Sequence, residues 1–222
     1  MSKLIAAIPV KNNIKWTAPA VEHLLLADEV DEVWLYDNGS SDITHEWALS
    51  RQKLDPRLKI FDMRDMRIYD MWSHMIRTAS HKSDVKLAIL NNDIRLPHNA
   101  IRTMADRMEG YQIACIDRTV RGSEPIQDLP VVPAWWGEKT GWAFILDVDF
   151  WRDEPTPIDP VFRIWWGDDD LFRRAQVRGG KICIVKGVGC DHFEWSSDSE
   201  YPGDKWVDVE ADRLDFIRIW GQ

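Results

Sequence analysis

The sequence is poor in the features that would place it in several large classes. It has three cysteines, Cys115, Cys183 and Cys190, with no Cys-x-x-Cys spacing. A disulfide scaffold and a cysteine-built zinc site are therefore excluded, and reduced thiols that fill apolar space are expected. No apolar run is long enough to span a bilayer, and the N-terminus shows no basic-then-apolar signal pattern, so a cytoplasmic protein without a transmembrane segment is expected. Positive charge is in deficit: 28 Lys and Arg stand against 37 Asp and Glu, a formal charge of −9. A nucleic-acid backbone as main partner would demand the opposite balance. The loop after the first apolar run, Lys11-Asn12-Asn13, has no glycine. That argues against the Gly-x-Gly-x-x-Gly of dinucleotide enzymes and against the glycine-rich phosphate loop of a sugar nucleotidyltransferase.

The residues that are present describe one globular α/β unit. The 222 residues, 45% hydrophobic, suffice for a sizeable core. Strands are expected at Lys3 to Val10, Glu32 to Tyr36, Leu58 to Phe61, Val85 to Leu90 and Ile113 to Ile116. Helical spacing lies between them, clearest in Ile68, Met71, Trp72, Met75, Ile76 and Ala79. Thr17 is read as the cap of the first helix and Asp42 as the cap of the second. Such alternation predicts βαβ units and a mostly parallel sheet flanked by helices. The second half is less regular: a loop-rich stretch from Asp117 to Lys139, a strand near Trp142 to Leu146, a helix from about Asp168 to Arg178, a strand at Ile182 to Val185 and a helical tail from Val207 to Trp220. No repeat or linker divides the chain, and nothing in it sets an oligomeric state.

In an open α/β sheet, ligands bind beyond the carboxyl ends of the strands. Two polar clusters fall there, Asp37-Asn38-Gly39-Ser40-Ser41-Asp42 after the second strand and Asn91-Asn92-Asp93 after the fourth. Each alone is also ordinary turn chemistry. Thirteen tryptophans are a surplus, and Trp135-Trp136, Trp142, Trp165-Trp166 and Trp195 gather around the polar motifs. Indoles pack cores and also stack on sugar faces.

Taken in order, Ile8-Pro9-Val10-Lys11-Asn12, Tyr36-Asp37-Asn38-Gly39-Ser40-Ser41-Asp42, Leu90-Asn91-Asn92-Asp93, Gly141-Trp142-Ala143-Phe144, Gly167-Asp168-Asp169-Asp170-Leu171-Phe172-Arg173-Arg174 and Asp191-His192 resemble the family 2 glycosyltransferases over roughly residues 3 to 195. The resemblance implies a GT-A (Rossmann-like) fold in a single compact domain over residues 1–222. About 1–116 would bind the nucleotide sugar, and about 117–222 would bind the acceptor and carry catalysis. It implies an inverting, metal-dependent transfer from a UDP- or dTDP-sugar to a glycan or protein hydroxyl.

The implied roles run residue by residue. Pro9, Val10, Asn12, Asp37, Asn38, Arg67, Asn91 and Asn92 would meet the nucleotide sugar. Within that set Asp37 would accept a pyrimidine ring N–H, Asn91 would meet the ribose, and Arg67 or Lys11 would face the diphosphate. Asp93 and His192 would hold Mn²⁺ or Mg²⁺. Asp168 would be the general base, with Asp169 its rival because Gly167 stands where the family's first acid is usual. Trp142 and Trp166 would line the acceptor site. Two other classes compete: a non-catalytic, tryptophan-rich carbohydrate-binding protein, which needs neither metal nor carboxylate run, and the sugar nucleotidyltransferase already disfavoured by its missing glycines.

Overall fold

A computed structural model of the chain describes residues 2–26, 30–134, 137–193 and 204–221. Trp135, Trp136 and Trp195 lie outside these residues. Strand β1 (Lys3–Val10) is followed by α1 (Ile14–Leu26), β2 (Glu32–Asp37), α2 (Thr44–Leu54), β3 (Leu58–Asp62), α3 (Ile68–Ser80) and β4 (Val85–Leu90). Next come β5 (Ile94–Arg95), α4 (Ala100–Arg107), β6 (Ile113–Ile116), β7 (Val131–Pro133), β8 (Ala143–Asp147), α5 (Gly167–Val177), β9 (Ile182–Val185), β10 (Asp191–His192) and α6 (Lys205–Trp220). A 3-10 turn at Val148–Trp151 closes β8.

Eight strands form one sheet in the order β3-β2-β1-β4-β8-β6-β9-β7. The first four are parallel neighbours. β8 enters antiparallel between β4 and β6, so the second half completes the sheet that the first half begins. A strand buried on both faces reads as a continuous apolar run, and β1 does so. Leu4, Ala6, Ile8 and Val10 pack with α1 and α4, while Ile5 and Ala7 pack with α3 and α5 on the other face. The stripe on α3 is core, as its spacing implied: Met71, Trp72, Met75, Ile76 and Ala79 are all at most 3% exposed. No helix among the described residues is long and apolar enough to cross a membrane.

Two local expectations change. Helix α1 starts at Ile14, so Thr17 does not cap it but sits inside it, fully buried. Asn12 and Asn13 take the left-handed conformation, at φ 57° and 66°, which asparagine tolerates and which turns the chain into the helix early. The orphan N–H of Ile14 donates to Asp42 Oδ2 at 3.3 Å, so the cap comes from the following turn of the fold. The second change is the short β5–β10 ladder, which pairs residues too far apart for any local pattern to show.

Candidate active site

The carboxyl ends of β1, β2 and β4 carry the first group of site residues. Pro9 and Val10 are buried at the end of β1, in register with Tyr36 and Asp37. Asn12 clips the β1 turn to the β2 turn. Its backbone N–H donates to Ser40 Oγ at 2.7 Å, and its Oδ1 accepts from the N–H groups of Ser41 and Asp42 at 2.6 and 3.1 Å. Asn38 accepts from the Met66 N–H at 3.0 Å and ties this turn to the loop before α3. Arg67, exposed at the start of α3, is paired with Asp70 at 2.9 Å. Asp37 is 2% exposed, with Oδ1 accepting from the Ser40 N–H at 2.8 Å and Oδ2 lying 2.7 Å from His45 Nδ1.

The turn after β4 holds the second group. Asn92 faces inward and donates to Thr17 Oγ1 at 2.9 Å, anchoring the turn to α1. Asp93 is 6% exposed, and its Oδ1 lies 3.3 Å from His192 Nε2. Asn91 Nδ2 is 3.4 Å from the same ring nitrogen. The ladder brings them together: His192 pairs with Ile94, Asp191 with Arg95, and the Phe193 N–H donates to the Asp93 carbonyl at 2.9 Å. Trp142 stacks on the His192 ring, with centroids 4.9 Å apart and planes 21° apart, so it fixes the imidazole from β8's edge.

A carboxylate and an imidazole 3.3 Å apart suit adjacent positions in the shell of a small divalent cation, where neighbouring ligands stand about 3 Å apart. Only two protein ligands converge: among the described residues no group of three or more His, Cys, Asp or Glu does. Such a half-shell fits an ion whose other ligands come from a diphosphate and water, rather than a closed structural site.

The third group is the acid run, and the fold splits it. Asp170 is fully buried: it accepts from the Asp159 N–H and Arg174 Nε, both at 2.7 Å, and from Trp220 Nε1 at 2.9 Å. It is a structural hub. Asp168 and Asp169 are half-buried in the first turn of α5. Burial raises the Asp168 carboxyl above its ordinary range, against the pull of the helix-start amides, the Lys139 ammonium and the Tyr69 hydroxyl. Burial and the neighbouring Asp168 charge push Asp169 up to about 7, with Lys139 again opposing.

Two close approaches shape this turn. A Cβ on Gly141 would lie 2.2 Å from Asp168 Oδ2, so only glycine lets the carboxylate in. A Cβ on Gly167 would lie 2.4 Å from the Tyr69 ring, which explains why no acid stands at 167. Just before it, Trp166 is left-handed at φ 66°, a strained conformation for a bulky residue.

Helix α6 holds the approach to that turn. The fully buried Asp212 accepts from three successive backbone N–H groups, those of Arg163, Ile164 and Trp165, at 3.0, 2.8 and 3.0 Å. Phe216 packs on Trp166 at 5.1 Å, and Trp220 reaches Asp170. These three are spaced four apart and share one helical face. Trp166, expected at the acceptor site, is thus half-buried against α6, while Trp165 is 42% exposed.

His45, Lys139 and Asp212 were not singled out from the sequence. An acid on the apolar stripe Asp212, Phe216, Trp220 was a readable signal. For His45 and Lys139 there was none. A cavity of about 320 Å³ lies between α1 and the β5 turn and touches Asn91. Trp16, Leu24, Leu96 and Phe193 make it mostly apolar, and it sits beside the polar crevice.

Solved structures share this architecture. Glucosyl-3-phosphoglycerate synthase from Mycobacterium tuberculosis, in complex with Mn²⁺, UDP and glucosyl-3-phosphoglycerate, superposes with TM-score 0.62 at 12% identity, over 99% of this chain and 79% of that one. Staphylococcus aureus TarS 1-349 in complex with UDP-GlcNAc gives 0.64 at 12%, over 98% and 66%. GalNAc-T7 with UDP, GalNAc and Mn²⁺ gives 0.60 at 14%, over 86% of this chain but only 44% of its own length. At these identities the likeness is one of fold, the GT-A fold. No curated protein matches the sequence significantly. The family model for glycosyl transferase family 2 matches residues 6–154, two-thirds of the chain, from within β1 to just beyond β8, and the chain belongs to that family.

Proposed function

We propose that this chain is an inverting glycosyltransferase that moves a sugar from a nucleoside diphosphate, UDP or dTDP, to a hydroxyl acceptor, with a divalent cation bound at Asp93 and His192. The observation that carries the reading is the presence of two features in one fold: the Asp93–His192 half-shell at 3.3 Å and a carboxylate pair with raised pKa at the start of α5. The solved relatives crystallised with UDP and Mn²⁺ support the donor and the ion. A carbohydrate-binding module has no use for either feature.

In this reading the half formed by residues 1–116 holds the donor and the half formed by 117–222 holds the acceptor. Asp93 and His192 would hold the cation, which would supply charge neutralisation for a leaving diphosphate. Asp168, or Asp169 beside it, accepts the proton of the acceptor hydroxyl. That oxygen attacks the anomeric carbon as the bond to the diphosphate oxygen breaks. Burial makes Asp168 a stronger base than an ordinary aspartate, and burial with the Asp168 charge pushes Asp169 up to about 7. With one base and no separate nucleophile, the displacement is single and the anomeric configuration inverts. Three cysteines without a disulfide among the described residues accord with a reducing cytoplasm.

The test is a screen of nucleotide sugars for transfer or hydrolysis, followed by proton NMR of the new linkage. Inverted product from a UDP- or dTDP-sugar is expected. A retained configuration would overturn the mechanism, and sugar binding without any nucleotide binding would favour the module.

A further inference from the structure

The resemblance puts Asp37 against the nucleobase, yet the fold buries that carboxylate. Its side chain is 3% exposed, and each oxygen already has a donor, the Ser40 N–H at 2.8 Å and His45 Nδ1 at 2.7 Å. The imidazole of His45, on the first turn of α2, covers it and is 33% exposed. An ionised carboxylate can only accept, so Nδ1 donates its proton to Asp37, and in the neutral form of the ring Nε2 is left as an acceptor. Asp37 fixes both the orientation and the tautomer of the ring, as a buried carboxylate does for any histidine that it pairs with.

We propose that His45 is the residue that reads the donor's base, its Nε2 accepting a ring N–H, with Asp37 acting behind it as a positioning residue. The proposal rests on the nucleotide-donor reading above and changes which atom makes the contact. The ligand class follows from the chemistry. Uracil and thymine carry an N–H at ring position 3. Cytosine carries a lone pair there and is rejected, because two acceptors would face each other.

The experiment titrates the full chain calorimetrically, in Mn²⁺, with UDP, CDP and the N3-methyl analogue of UDP. Wild-type protein is expected to prefer UDP. His45→Ala should lose roughly tenfold in UDP affinity, the scale of one hydrogen bond, and should bind UDP and its N3-methyl analogue equally. Direct reading by Asp37 predicts the opposite sign: removing the ring that covers the carboxylate leaves UDP affinity equal or tighter, with the preference intact, and that result overturns the proposal. A measurement on unsubstituted protein guards against misfolding of the variant. The ¹⁵N resonance of His45 Nε2 should move on addition of UDP and not of pyrophosphate, and movement with neither counts against His45. If wild-type protein binds none of the nucleotides, the donor reading itself falls. If it binds UDP and His45→Ala changes nothing, only this proposal falls.

Discussion

Gly141, at the foot of β8, lies so close to Asp168 that a single added methyl group would stand 2.2 Å from Oδ2. The two residues come from different elements, and their contact sets where the candidate base points. Gly141→Ala should therefore push the carboxylate aside. Misplacing a catalytic group by about 1 Å costs on the order of 10²-fold in turnover. UDP affinity should fall far less than turnover, since Asp37, Asn91 and Asp93 stand at the ends of β2 and β4. Steady-state kinetics beside a UDP titration would check this, and normal turnover in the variant would remove Asp168 from the chemistry.

Asp168→Asn keeps the size of the side chain and abolishes its basicity. Turnover should drop about 10²–10⁴-fold, with Asp169→Asn falling less. If the order of the two variants is reversed, Asp169 is the base.

The same pair gives a pH signature. Burial raises both carboxyls, and the Asp168 charge helps to push Asp169 up to about 7, so activity should climb along a rising limb that lies above the ordinary aspartate range. For stability the sign follows from linkage. The folded state holds these protons more tightly than the unfolded chain. Stability is therefore fully present below the ordinary aspartate range and is lost as pH rises to about 7. Asp169→Asn should thus melt higher than wild type at pH 8 and lose that advantage in acid. A melting curve series across pH reads it directly.

Metal dependence should follow the Asp93–His192 contact. UDP should raise the melting temperature, and Mn²⁺ should enlarge the shift, because a ligand stabilises the state that it binds. Asp93→Ala should abolish the enlargement. His192→Ala should require more Mn²⁺ for half-maximal activity while leaving the fold nearly as stable. If His192→Ala unfolds the protein with its metal response unchanged, the histidine is a packing residue under Trp142.

Helix α6 offers a test remote from the crevice. Asp212→Ala leaves three partly buried backbone N–H groups without their acceptor, which should cost roughly 3 kcal/mol. The segment that leads through Trp166 into the first turn of α5, where Asp168 stands, would lose its anchor, so turnover should fall below what the folded fraction explains. UDP binding, measured where the variant is folded, should match wild type. Equal losses in both would make Asp212 a stability residue alone.

Much of this was legible in the chain. Helical spacing on α3, unbroken apolar runs at β1 and β4, and polar turns after β2 and β4 are local signals, and local sterics and burial suffice to enforce them. They placed the sheet and the polar turns Asp37 to Asp42 and Asn91 to Asp93 at the carboxyl ends of its strands, while Asp168 to Asp170 was singled out by the family resemblance. What the residues could not express was partnership across the fold. The register of β10 against β5 delivers His192 to Asp93, and the capping of α1 by Asp42 displaced Thr17 from that role. The division of three like aspartates into a hub, Asp170, and a half-buried pair follows from α6 and Arg174 facing only one side of the helix start. Burial of Asp37 beneath His45 is of the same kind. Composition and periodicity report which side chains prefer water. Which buried polar group meets which donor is decided only when distant segments close around it, because an unsatisfied group in the interior is too costly to leave.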